Sequence, residues 1–122
     1  MAITAANQTS SIGRRIIKDT DITGTVVYNV TGAAGRIYMM YIDHSDNSQN
    51  IYLKLWDATK GVTLGTTAPD YIFNIAGSSR EIFNFPSGLL FSTGISYACV
   101  AGGGTASSEA PTSPPTLYLI TS

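Results

Sequence analysis

Between residues 24 and 120 the chain never sustains a helical stripe; it is a succession of short β-prone runs divided by Gly, Pro, Asn and Ser. The runs recur roughly every 8–12 residues, the spacing of an all-β sandwich or jelly roll. Segment 24–30 carries Thr25, Val26, Val27, Tyr28 and Val30. Segment 36–43 is apolar at both parities through Ile37, Tyr38, Met39, Met40, Tyr41 and Ile42, which predicts a central strand covered on each side. Segment 50–57 alternates, with Ile51, Leu53 and Leu55 on one face and Tyr52, Lys54 and Trp56 on the other. Shorter runs follow at 62–64, 71–75, 80–85, 89–91, 95–101 and 116–120. The expectation is an antiparallel sandwich or jelly roll of about eight strands over residues 22–122.

Two stretches fall outside that pattern. Residues 1–21 hold no sustained period and read as an extended N-terminal arm, whose short centre at 12–18 is either an edge strand or a contact segment ordered by a partner; Ile12, Arg14, Arg15, Ile16, Ile17 and Lys18 are the candidate interface. Residues 102–115 open with Gly102-Gly103-Gly104 and close with Pro114-Pro115, which reads as a flexible surface loop before the last strand.

At 122 residues the chain suits one domain, able to bury roughly two thirds of its unfolded surface. Its charged fraction of 12% is about half the usual share, and 13 serines and 15 threonines supply the polarity instead. Two explanations stand side by side: neighbouring subunits cover much of the surface, or the surface is hydroxyl-rich as β-proteins often are. A net charge of −1 with scattered basic residues argues against a nucleic-acid groove. The start at Met1 lacks the charged and long apolar stretches of a secretory signal, and no apolar run approaches a membrane span, so assembly in a cytoplasm without a membrane is expected.

Residues able to carry chemistry are sparse. Cys99 lies in an apolar run and reads as a buried, inert thiol. His44 sits among Asp43, Ser45, Asp46 and Asn47, a composition that reads as a solvated turn. Those residues alternate like the start of a calcium loop, but the sixth-position glycine is missing and Lys54 stands where the bidentate glutamate belongs. No catalytic, cofactor-binding or metal site is therefore expected, and no enzyme. Tyr52 and Trp56 share one face around Lys54, which suggests a partly wet strip; the pair either packs or stacks on a carbohydrate ring.

Three blocks carry a resemblance: Tyr52-Leu53-Lys54-Leu55-Trp56-Asp57, then Gly65-Thr66-Thr67-Ala68-Pro69, then Phe85-Pro86-Ser87-Gly88-Leu89-Leu90-Phe91-Ser92-Thr93-Gly94-Ile95-Ser96-Tyr97-Ala98. In this order they resemble a small β-domain of structural proteins in tailed bacteriophages and prophages. The resemblance covers about residues 50–120 and implies a virion component without a catalytic role. The expectation that follows is a capsid decoration (cement) protein on the capsid surface, partnered by the major capsid protein and by copies of itself as a homotrimer. A tail, baseplate or fibre-associated adaptor and a carbohydrate-binding module are the alternatives.

Overall fold

The computed structural model describes residues 3–7 and 15–122, and among them no helix occurs. Eight strands form two antiparallel sheets: β1 (Ile3–Asn7), β2 (Arg15–Asp19), β3 (Gly35–His44), β4 (Ile51–Asp57), β5 (Tyr71–Ile75), β6 (Ser79–Phe91), β7 (Ile95–Val100) and β8 (Thr116–Thr121). The five-stranded sheet runs β1-β2-β8-β3-β6 and the three-stranded sheet β5-β4-β7. The all-β expectation thus holds, in a sandwich-like form.

Period-two alternation builds the core. Leu117 and Leu119 of β8, Ile37, Met40 and Ile42 of β3, and Ile17 of β2 turn inward from the larger sheet. Ile51, Leu53 and Leu55 of β4 meet them from the smaller one, with Ile75, Ile95, Tyr97 and Cys99, in one continuous cluster. Each such aliphatic side chain contributes about 1.5–3 kcal/mol by leaving water. The flank between β5 and β6 is closed by rings: Phe73 lies 4.9 Å from Phe83 and 5.9 Å from Phe85, and Tyr71 lies 5.4 Å from Phe91.

The opposite flank is closed by segment 23–30, which lies along the free edge of β7. Thr23 O accepts from Cys99 N (3.0 Å), Val27 and Tyr97 exchange bonds of 2.8 and 3.0 Å, and Val30 N donates to Ile95 O (2.9 Å). These contacts fall four and three residues apart, where a regular ladder would repeat every two, so the expected strand at 24–30 makes only an isolated bridge. Asn29, with φ of +48°, breaks the extended backbone.

Four sequence expectations are corrected. First, Arg15–Asp19 is no arm: β2 pairs with β1 on one side and β8 on the other, and Ile17 and Asp19 are fully buried. Its alternation was disguised because an aspartate occupies an inward position. Second, the runs at 80–85 and 89–91 are one strand. Ile37 faces Leu89 and Met39 faces Asn84, so β6 absorbs Phe85-Pro86-Ser87-Gly88 as a bulge opposite Tyr38. Gly88, at φ +82°, sits beneath Arg36 and Tyr38, where a Cβ would come within 2.7–3.0 Å of their side chains. Proline is tolerated because β6 is the sheet's edge. Third, Val62 and Leu64 form no strand but pack against Trp56. Fourth, β3 is central in its sheet, but only one of its faces is covered.

Candidate docking face of the five-stranded sheet

The uncovered face follows from register. Ile16 (β2), Ile120 (β8), Met39 (β3) and Asn84 (β6) stand side by side across four strands. One pleat further, Lys18, Tyr118, Tyr41 and Ile82 make a second row. Because the inward partners of these residues fill the core, no second layer among the described residues covers the outward set. Ile16, Met39, Tyr41, Tyr118 and Ile120 line an open, apolar groove of about 360 Å³. Ile16 is 38% exposed and Ile82 58%.

The groove's polar features lie at its rim. The Tyr41 and Tyr118 rings are tilted at 56° with centroids 5.6 Å apart, and Lys18 Nζ sits 5.5 Å from the Tyr118 centroid. Beyond Tyr41, Asp43 accepts from Arg80 Nε at 3.2 Å and from Ser45 N and Oγ at 3.1 and 2.6 Å. The Ser45 hydroxyl, then its amide and the Arg80 charge, hold the Asp43 carboxyl below its ordinary value. Apart from the two tyrosine hydroxyls, the described residues that line the groove are aliphatic. What it can do is bind, by burial of aromatic and aliphatic groups that behave as interface anchors.

Of the six candidate interface residues, Ile16 and Lys18 lie on this face. Ile17 points into the core, and Arg15 turns its guanidinium to the carbonyl of Thr31. Ile12 and Arg14 lie outside the described residues. Met39, Tyr41, Tyr118, Ile120 and Ile82 were missed as site residues. For all but Ile82 the signal was present: 36–43 and 116–120 are apolar at both parities, and only one parity was needed for the core.

The aromatic pair Tyr52 and Trp56 does not form an open platform. Trp56 is 2% exposed, packs with Val62, Ala98 and Leu64, and donates its Nε1–H to Thr67 O at 3.1 Å. Lys54 between them is fully buried and only Tyr52 stays half-exposed, so the strip is not the wet face expected. His44 is also no solvated turn residue: it ends β3, is 2% exposed, and its Nε2–H donates to Gln49 O at 2.6 Å. Beside it, Asp43, Asp46, Asn47 and residues 113–116 enclose a polar pocket of about 70 Å³. Among the described residues no three His, Cys, Asp or Glu side chains gather as a metal cluster would. Cys99 is buried in β7, where desolvation pushes its thiol up to about 12, so it carries no thiolate at neutral pH.

No family model, no curated protein and no solved structure matches the chain. None of these comparisons supports the phage resemblance; the fold does bring its three sequence blocks together. All three meet at the end of β4. Asp57 Oδ2 accepts from Ser92 N and Oγ at 3.0 and 2.8 Å, and its Oδ1 from Thr93 N at 2.7 Å and Gly94 N at 3.3 Å. Asp57 N in turn donates to Asp70 Oδ2 at 2.7 Å, next to the Gly65–Pro69 block that receives the Trp56 indole. A side chain at Gly94 would strike Asn29, Thr59 and the Ala58 carbonyl at 2.8–3.1 Å. Burial alone would raise the Asp57 carboxyl, but the hydrogen bonds from Ser92, Thr93 and Gly94 outweigh it and hold it low. The blocks thus form a staple between β4 and the β6–β7 turn.

Proposed function

We propose that the protein is a bacteriophage virion structural protein, a capsid decoration protein that grips a subunit of the major capsid protein through the apolar outer face of its five-stranded sheet. The observation that carries this reading is the unpartnered double row Ile16-Ile120-Met39 and Lys18-Tyr118-Tyr41-Ile82, which holds binding groups. A virion component is the partner class implied by the three sequence blocks, and sparse charge suits a surface meant to be covered.

Strand order supports the same reading. With segment 23–30 counted beside β7, the sheets run β2-β8-β3-β6 and 23–30-β7-β4-β5, which is the strand order of a jelly roll with β1 added at one edge. Jelly rolls are a common architecture of viral shell domains. The edge strand β1 would serve as the contact arm, and a homotrimer would multiply a groove of modest size into firm attachment.

The test is direct. Purified full-length protein is mixed with shells of the major capsid protein and with intact virions, and bound copies are located by gold labelling and cryo-electron microscopy. Saturable binding to the shell, lost on Tyr41→Ser with Ile120→Ser, supports the proposal. Labelling of the tail alone, or binding untouched by those substitutions, overturns it.

A further inference from the structure

The open face of the five-stranded sheet is bracketed by charge of one sign. Lys18 ends the row that runs through Tyr118 and Tyr41, with its Nζ held 5.5 Å from the Tyr118 centroid. A ring in that position orients an ammonium without neutralising it. Arg36 stands at the opposite corner. It precedes the inward Ile37 and is in register with Leu90, which is 50% exposed, so its side chain leaves by the same face. Its Nη1 donates to Ser87 O at 3.2 Å, a carbonyl. Strand geometry puts the two cations about 16 Å apart along β3 and about 10 Å apart across the sheet. The apolar groove lies between them.

Neither cation has a carboxylate beside it among the described residues, although the chain holds 8 acidic side chains against 7 basic ones. The acids are engaged elsewhere. Asp19 lies in the core with the Asp21 amide bonded to it, Asp57 binds the β6–β7 turn, and Asp70 accepts from Asp57 N. Glu81 accepts from Ala76 N. Glu109 belongs to the loop that closes over the buried Lys54, whose Nζ donates to Gly104 O and Ser107 O. Among the described residues Asp43 is the acid that these strands project on the open face, and Arg80 engages it, with Asp46 at longer range.

We infer that the occupant of this face is a protein segment with an apolar ridge flanked by carboxylates roughly 20 Å apart, which meet Lys18 and Arg36 while the ridge fills the groove. The inference rests on the docking role proposed above and adds the chemistry of the capsid-protein surface that the face would grip. Burial of the ridge supplies affinity, whereas the two cations set its register and reject a basic surface. A second copy of this chain fits poorly. From its own open face it brings Asp43, already engaged by Arg80, toward Lys18 or Arg36.

Two peptides of about seven residues, alternating leucine with glutamate in one and with lysine in the other, provide the first test. Each is titrated into the full-length protein at about 50 mM NaCl while the Met39 and Ile120 methyl resonances are followed. The glutamate peptide should bind at least about tenfold more tightly than the lysine peptide. Lys18→Glu should remove that preference, and Lys60→Glu, on the exposed turn after β4, should keep it. The comparison of peptides uses the wild-type chain, so it stands even where a variant does not fold. Equal affinity for the two, or no response to either, overturns the inference. A Met39 signal that shifts with protein concentration alone places a second copy on the face and overturns it as well.

Shells of the major capsid protein separate this inference from the docking role. Binding that weakens at least about tenfold between about 50 and 300 mM NaCl, and again on Lys18→Glu, supports both. Shell binding indifferent to salt and to the charge reversal overturns the carboxylate partner and leaves the docking role in place. No shell binding beside a clear glutamate preference overturns the docking role and leaves the chemistry of the face.

Discussion

Tyr97 Oη donates a 2.8 Å hydrogen bond to Asp19 Oδ2 inside the core, joining β7 of the three-stranded sheet to β2 of the other. Both side chains are fully buried, and Asp19 Oδ1 accepts from Asp21 N at 3.1 Å. Burial raises the Asp19 carboxyl above its ordinary 3.8, with the Tyr97 and Asp21 N–H bonds opposing it. Burial, and then the neighbouring Asp19 charge, likewise raise the Tyr97 hydroxyl.

Removing the hydroxyl leaves a buried carboxylate short of a donor. Tyr97→Phe should lower stability by about 1–3 kcal/mol, seen as a lower urea midpoint with unchanged slope. A midpoint equal to wild type would show that the bond contributes nothing.

The pH dependence has two limbs of opposite sign. Asp19, raised in the folded state, contributes stability that is complete below 3.8 and is lost as pH rises through its folded value. Asp57, held low, contributes stability that is present above 3.8 and is lost as pH falls through its folded value. Asp19→Asn should therefore flatten the stability profile above pH 4 and leave the acid limb in place. Urea titrations at a series of pH values check it; an unchanged slope above pH 4 would rule Asp19 out as its source.

Asp57 gathers four donors from Ser92, Thr93 and Gly94. Asp57→Ala should cost about 1–2 kcal/mol, since water replaces part of the loss at this partly exposed turn. It should also speed hydrogen exchange at 92–94 relative to β3. Unaltered exchange there would deny the staple its role.

Adjacent residues of β8 should separate packing from docking. Leu119 faces the core, so Leu119→Ala should lose about 2–5 kcal/mol, whereas the outward Ile120→Ala should change stability by under about 1 kcal/mol while weakening shell binding. Equal thermal losses for the two would mean that the outer face is not free.

Trp56→Ala distinguishes a packed indole from a sugar platform. With the ring 2% exposed and bonded to Thr67 O, the substitution should cost about 3–5 kcal/mol. A stable variant that loses glycan binding would restore the carbohydrate reading.

Much of this molecule was written locally in its sequence. Alternation at 50–57 and 71–75 marks β4 and β5, because a strand's two faces differ every second residue whatever it pairs with. Turn residues at 76–79 and 86–88 were legible too, although the second set became a bulge once β3 lay alongside.

What local pattern could not decide is which groups meet. Asp19 hid β2, because an inward aspartate is intelligible only beside Tyr97, 78 residues away. Apolar residues at both parities of β3 and β8 allowed two covered faces; the chain's second sheet covers one, and Tyr41, Tyr118 and Ile120 are left outside. The polar loop at 102–109 acquired a partner only when the β4–β7 pairing brought Lys54 beneath it. Sequence by itself determined an all-β chain with its strands and much of its core. Only tertiary structure decided which apolar face stays open and which is closed, because side-chain period is local and the covering of a face depends on residues far apart in the chain.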